Sequence, residues 1–127
     1  MESIPEELKQ FIFASFESVD QLRMLLLLQA SPERGWSPLS VSAKLYLQPG
    51  VVQVGLDTLQ RKGFLAVHDQ SDPRYRYQPA STELEQMVRA VVKLDQTRPV
   101  TLIKLIYARP KDALQSFADA FKLRRDS

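Results

Sequence analysis

Residues 36–65, WSPLSVSAKLYLQPGVVQVGLDTLQRKGFL, decide the fold of this chain. Their apolar positions are Val41, Leu45, Leu47, Val52, Leu56, Leu59, Phe64 and Leu65. That spacing predicts two short helices joined by a tight turn, each closing one face onto a small core. Ser37 is placed to cap the first helix, with Pro38 at its first position, and the helix runs to about Tyr46. Leu47-Gln48-Pro49-Gly50 makes the turn, and Pro49 starts a second helix that reaches Lys62. Gly63 supplies the left-handed residue that ends it. Beyond it, Phe64 to His68 and Tyr75 to Gln78 have strand composition, with Ser71-Asp72-Pro73 as the turn between them.

Outward from this stretch, the flanks read as helices. Ser3 with Glu6 has the form of a capping box, Pro5 suits a first turn, and Ile4, Leu8, Phe11 and Ile12 make one apolar stripe ending near Ser15. Ser18 with Gln21 opens the next helix. Its Leu22, Leu25 and Leu26, broadened by Met24, Leu27 and Leu28, predict a central position. Pro32 and Gly35 break it. After the hairpin, Ser81 or Thr82 caps a helix marked by Leu84, Met87, Val88 and Val91, and Pro99 either kinks it or starts another. Val100 to Tyr107 is apolar almost throughout, which a surface helix would not tolerate. Pro110 ends it, and Leu114, Phe117, Ala118 and Phe121 mark a last helix by their spacing. Lys122, Arg124 and Arg125 follow, favourable near a helix C-terminus.

Composition narrows the function. A chain of 127 residues with 44% hydrophobic and 25% charged content fits one soluble domain, 1–127. It has no cysteine, so neither disulfides nor thiolate metal sites are available. The apolar run Met24 to Leu28 is far shorter than the roughly 18 residues that cross a bilayer, and the acidic N-terminus lacks signal-peptide character. A cytoplasmic protein with no membrane partner is expected. His68 is the single histidine, and nothing in the sequence assembles a base, nucleophile and orienting group around it. With no ligand-spaced cluster and only four glycines, neither a metal site nor a phosphate-cradling loop is expected. No catalytic residue, no cofactor and no enzyme activity are expected.

The pattern of Pro49, Val52, Leu56, Leu59 and Gly63 followed by Phe64-Leu65 resembles the winged helix-turn-helix regulators of the multiple-antibiotic-resistance and related bacterial families. The matching region is residues 18–78, with 81–125 as a C-terminal helical extension. The resemblance implies a mainly α fold with a small β-hairpin wing and extra helices at both ends. It also implies a bacterial DNA-binding transcriptional regulator that works as a homodimer on double-stranded DNA. The second helix would enter the major groove. Its outward set reads as Gly50, Val51, Gln53, Val54, Asp57 and Thr58. Gln53 suits an adenine, Thr58 a phosphate, and Val51 or Val54 a thymine methyl. Ser37, Arg61, Lys62, Arg74 and Arg76 complete the expected DNA contacts. In Arg74-Tyr75-Arg76-Tyr77, the strand period puts both arginines on one face and both tyrosines on the other.

The charge pattern opposes this reading. The second helix carries almost no positive charge on its outward face, and Asp57 would repel a phosphate backbone. The net charge is only +2. The alternative is a protein-interaction module that kept the winged scaffold, lost DNA affinity and docks a protein partner around Val51 and Val54. For the C-terminal extension, flanking helices in the resembling families form two-fold dimers. Val100, Ile103, Ile106, Tyr107, Leu114, Phe117 and Phe121 are therefore expected at a dimer interface, with the region around Phe11 and Phe16 beside them.

Overall fold

Capping and proline residues start most helices where the sequence places them. A computed structural model describes residues 3–69 and 71–110. Helix α1 spans Glu6–Ser15, α2 Val19–Ala30, α3 Pro38–Leu45 and α4 Pro49–Arg61; strands β1 (Leu65–His68) and β2 (Arg74–Tyr77) follow, then α5 (Thr82–Thr97) and α6 (Pro99–Tyr107). The side chains of Ser18, Ser37 and Ser81 accept hydrogen bonds from the backbone N–H groups of Gln21, Ser40 and Leu84, satisfying first-turn donors. Pro99 begins a new helix rather than kinking α5. The expected Ser3–Glu6 box does not form. Pro5 is itself the N-cap, in extended conformation, so α1 starts at Glu6 and Ser3 lies before the cap position.

Helix α2 is central, as its apolar girth requires: Leu22, Met24, Leu25 and Leu28 are buried. Helix α4 packs on both α2 and α3. Its approach to α2 is set by Gly55, where a Cβ would lie 2.5 Å from the Met24 sulfur. That glycine serves helix packing, not approach to a ligand. At the end of α4, Gly63 adopts φ 92°, the left-handed value that an L side chain resists. The chain then turns so that Phe64 enters the core, stacked on Phe16 at 6.0 Å and edge-on to Phe11 at 6.1 Å between ring centroids.

Strands β1 and β2 pair antiparallel in the register Leu65↔Tyr77, Ala66↔Arg76, Val67↔Tyr75 and His68↔Arg74. Tyr75 is buried and Tyr77 packs partly against the core, while Arg74 is exposed, as the alternation requires. The hairpin gains a third partner that the sequence does not announce. Trp36 and Tyr75 exchange backbone hydrogen bonds of 2.8 Å in both directions, joining the loop before α3 to the wing. Helix-turn-helix α3–α4, followed by a paired wing and flanked by helices at both ends, is a winged helix-turn-helix. The helix expected over 114–121 lies outside the described residues.

Candidate nucleic-acid interface

Helix α4 turns Val52, Leu56 and Leu59 into the core and leaves Gly50, Val51, Gln53 and Val54 exposed. Val54 is 64% accessible, and Val51 beside it is also exposed. Gln53 and Asp57, one turn apart, are not independent. The Gln53 Nε2 donates to both carboxylate oxygens of Asp57, at 3.2 and 3.1 Å, and to the Tyr75 hydroxyl at 2.9 Å. Tyr75 in turn donates to Asp57. A wing strand and the outward face of α4 are thereby tied through three polar side chains.

Tyr75 shows the electrostatic consequence. Its burial and its hydrogen bond to Asp57, in that order, raise its pKa above the ordinary tyrosine value. A raised folded-state pKa favours the neutral form, so its contribution is complete below about pH 10 and is lost as pH rises through the higher folded value. Tyr75→Phe is expected to cost about 0.5–1.5 kcal/mol at neutral pH, the net worth of an ordinary hydrogen bond. It should also diminish the alkaline loss of stability, as denaturant unfolding at pH 8 and above pH 10 would show.

Thr58 corrects the expected outward set. It is buried, and its hydroxyl accepts from the Arg61 guanidinium at 3.3 Å. Gly55 and Leu59 both face inward, and at 100° per residue Thr58 lies about 60° from Gly55, at the edge of that inward arc. Lys62 is also corrected as an expected phosphate contact. Its ammonium donates to the carbonyls of Ala14 at 3.2 Å and Ser15 at 2.9 Å, with Glu17 at 3.9 Å. Arg109 adds a bond from its Nε to the Phe13 carbonyl at 2.8 Å. Together these cations complete the C-terminal end of α1, whose last carbonyls lack intrahelical partners. Desolvation lowers the Lys62 pKa, with Glu17 opposing that shift. Because it removes the hydrogen bonds to the Ala14 and Ser15 carbonyls, Lys62→Ala should destabilise the fold by about 1–3 kcal/mol despite that desolvation cost. It should leave the salt dependence of any DNA binding unchanged, which unfolding and binding titrations can compare.

Arg61 and Arg74 remain exposed. Arg74 pairs with Asp72 at 2.9 Å, a surface contact of small energetic weight. Asp69, at φ 63°, organises the turn by accepting from the backbone of Ser71 and Asp72 and from the Ser71 hydroxyl. Arg76 is half-buried, and its Nε makes no hydrogen bond among the described residues. Gly35 lies beside these arginines: a Cβ there would meet the Arg74 Cβ at 3.1 Å and an Arg76 nitrogen at 3.8 Å. The adjacent Arg34 is stacked 3.6 Å over the Trp36 ring. Sequence reasoning missed Arg34; the Arg34–Trp36 juxtaposition was its only local signal. Ser37 keeps its hydroxyl oxygen occupied as the cap of α3.

On α6, Val100, Ile103 and Tyr107 form an exposed apolar stripe, at 62%, 39% and 80% accessibility. Leu102 and Ile106 face the opposite way. Ile106, expected at the interface, belongs to the protomer's own core, as does Phe16. Leu114, Phe117 and Phe121 lie outside the described residues. Among the described residues, no group of three His, Cys, Asp or Glu side chains could hold a metal ion, and no helix is long and apolar enough to cross a membrane.

No family model and no curated protein sequence matches the chain. Solved structures do match in three dimensions. The heme sensor PefR of Streptococcus agalactiae, solved with heme, is 12% identical over 93% of this chain and 79% of its own, with a TM-score of 0.53. A double mutant of ZitR from Lactococcus lactis is 13% identical over 86% of this chain and 73% of its own, at 0.52. A homodimeric winged helix-turn-helix DNA-binding domain from Mycobacterium bovis, described as a possible ArsR-family transcriptional regulator, is 14% identical over 77% of this chain and 94% of its own, at 0.51. At these identities the likeness is one of fold, and the fold of this chain is the winged helix-turn-helix.

Proposed function

We propose that this protein is a bacterial-type transcriptional regulator, acting in the cytoplasm, that binds duplex DNA through α4 and the wing. The observation that carries the reading is the uncovered outer face of α4, with Gly50, Val51, Gln53 and Val54 accessible and Gln53 hydrogen-bonded to the wing tyrosine. In a major groove this face would set Gln53 and Asp57 against base edges and the two valines against thymine methyls. Arg61, Arg74, Arg76 and Arg34 would supply the phosphate contacts that fix its register. The Mycobacterium bovis neighbour, a homodimeric DNA-binding domain, supports the same reading. A homodimer held through the Val100, Ile103 and Tyr107 stripe, extended by Leu114, Phe117 and Phe121, would present paired heads to a two-fold site.

Retention of fragments from a random duplex pool at low salt tests this proposal directly. Binding should weaken with salt by a slope of about −0.9 per phosphate neutralised. Arg74→Ala combined with Arg76→Ala should make that slope shallower by about 0.9 for each phosphate no longer neutralised. Unchanged binding by the double variant would remove the wing from the interface. Absence of any retained fragment would favour a protein partner on Val51 and Val54 instead.

A further inference from the structure

We propose that the α4 reading face selects cytosine and rejects guanine at one base position, because its polar network exposes acceptors and no donor. The inference rests on the DNA-binding reading above and adds a specificity to it. The Gln53 amide nitrogen carries two hydrogens; one is taken by the Asp57 carboxylate and the other by the Tyr75 oxygen. The Tyr75 hydrogen is itself given to Asp57. The amide orientation follows from the chemistry, since rotating it by half a turn would set its carbonyl oxygen against the carboxylate.

Every donor of the trio is therefore consumed inside the protein. What remains for a ligand is Gln53 Oε1, which accepts no hydrogen bond from the described residues, and the unused lone pairs of Asp57. Asp57 makes no ion pair with a described residue.

The major-groove edges respond differently to such a face. Guanine offers only the acceptors N7 and O6, which would oppose a carbonyl and a carboxylate. Thymine offers O4, again an acceptor, with a methyl group better suited to Val51 or Val54. Adenine pairs well with glutamine only when an amide hydrogen reaches N7, and here that hydrogen is engaged. Cytosine presents the N4 amine, the donor that an acceptor-only face requires, and carboxylates are its natural partners. The same network explains why a helix with an acidic outer face can still read DNA: the carboxylate opposes the backbone but suits one base.

Selection from a random duplex pool by the unmodified protein and by Asp57→Asn decides the matter. Asparagine keeps an acceptor for the Tyr75 hydroxyl and adds an amide donor. The unmodified protein should enrich cytosine at one fixed position, and Asp57→Asn should move that position toward adenine. Changing this cytosine to guanine should weaken the unmodified protein roughly tenfold or more, the range of one good base contact. Gln53→Ala, at an exposed position that leaves the core intact, should reduce that discrimination and guards against a misfolded Asn variant. Enriched sites with guanine at the position the Asn variant alters, or identical preferences for both proteins, would overturn the inference while leaving DNA binding intact. A pool from which nothing is retained would overturn the DNA-binding reading and this inference with it.

Discussion

Replacing Phe64 with alanine is expected to destabilise the protein by about 3–5 kcal/mol, the usual cost of emptying an aromatic core position. Phe64 is 1% accessible and is wedged between Phe16, stacked on it, and Phe11, edge-on. The alanine would forfeit both aromatic contacts and leave a cavity bounded by α1 and the start of the wing. Residue 64 is also the first after the left-handed Gly63, and its carbonyl accepts from the Gln78 N–H at 3.0 Å. Loss of the ring would therefore loosen the hinge between α4 and the hairpin as well as the core. Small domains are stable by about 5–15 kcal/mol, so this one change should remove a large share of the total. Chemical denaturation of the unmodified and substituted proteins measures it. A shift below about 1 kcal/mol would show that the aromatic cluster is not the keystone the packing indicates.

Ile103→Asp should convert the proposed dimer to monomers while leaving the protomer folded. Ile103 lies on the accessible stripe of α6 with Val100 and Tyr107, opposite the buried Leu102 and Ile106, so a carboxylate there meets water in the free protomer. At a dimer seam it would be a buried charge without a partner, which costs several kcal/mol. The dissociation constant should rise by about a hundredfold or more, and sedimentation at micromolar concentration should show half the mass. A variant that sediments as the unmodified protein does, with both monomeric, would take the stripe out of self-association and leave it for another partner.

Much of the fold was legible because its determinants are local. Pro38 and Pro49 mark helix starts, Gly63 marks an end, and the alternation of Arg74 to Tyr77 assigns strand faces. The candidate interface was less legible because its key contacts join distant residues. Asp57 and Tyr75 are eighteen residues apart, and Lys62 reaches a carbonyl forty-seven residues earlier; neither pair leaves a trace in local spacing. Thr58 illustrates a different shortfall. A threonine on a helix is polar enough to suggest the outer face, yet Thr58 sits at the edge of the inward arc, beside Gly55, and is buried. Charge counted along the chain likewise overstates what is available to a ligand. Lys62 and Arg109 are spent on the end of α1.

The three-way connection at Tyr75 has a mechanical meaning. The strand that carries it is paired with β1, its own backbone N–H and carbonyl are both bonded to Trp36, and its hydroxyl is held by Gln53 and Asp57. A flap free to rotate about its base would need all of these bonds broken at once, so helix and wing move as one rigid caliper of fixed span. If the protein binds DNA as proposed, a duplex gripped by both jaws must then supply the compliance itself. Easily deformed TA or CA/TG steps between the jaws should raise affinity although no side chain touches them, and stiff A-tracts there should lower it.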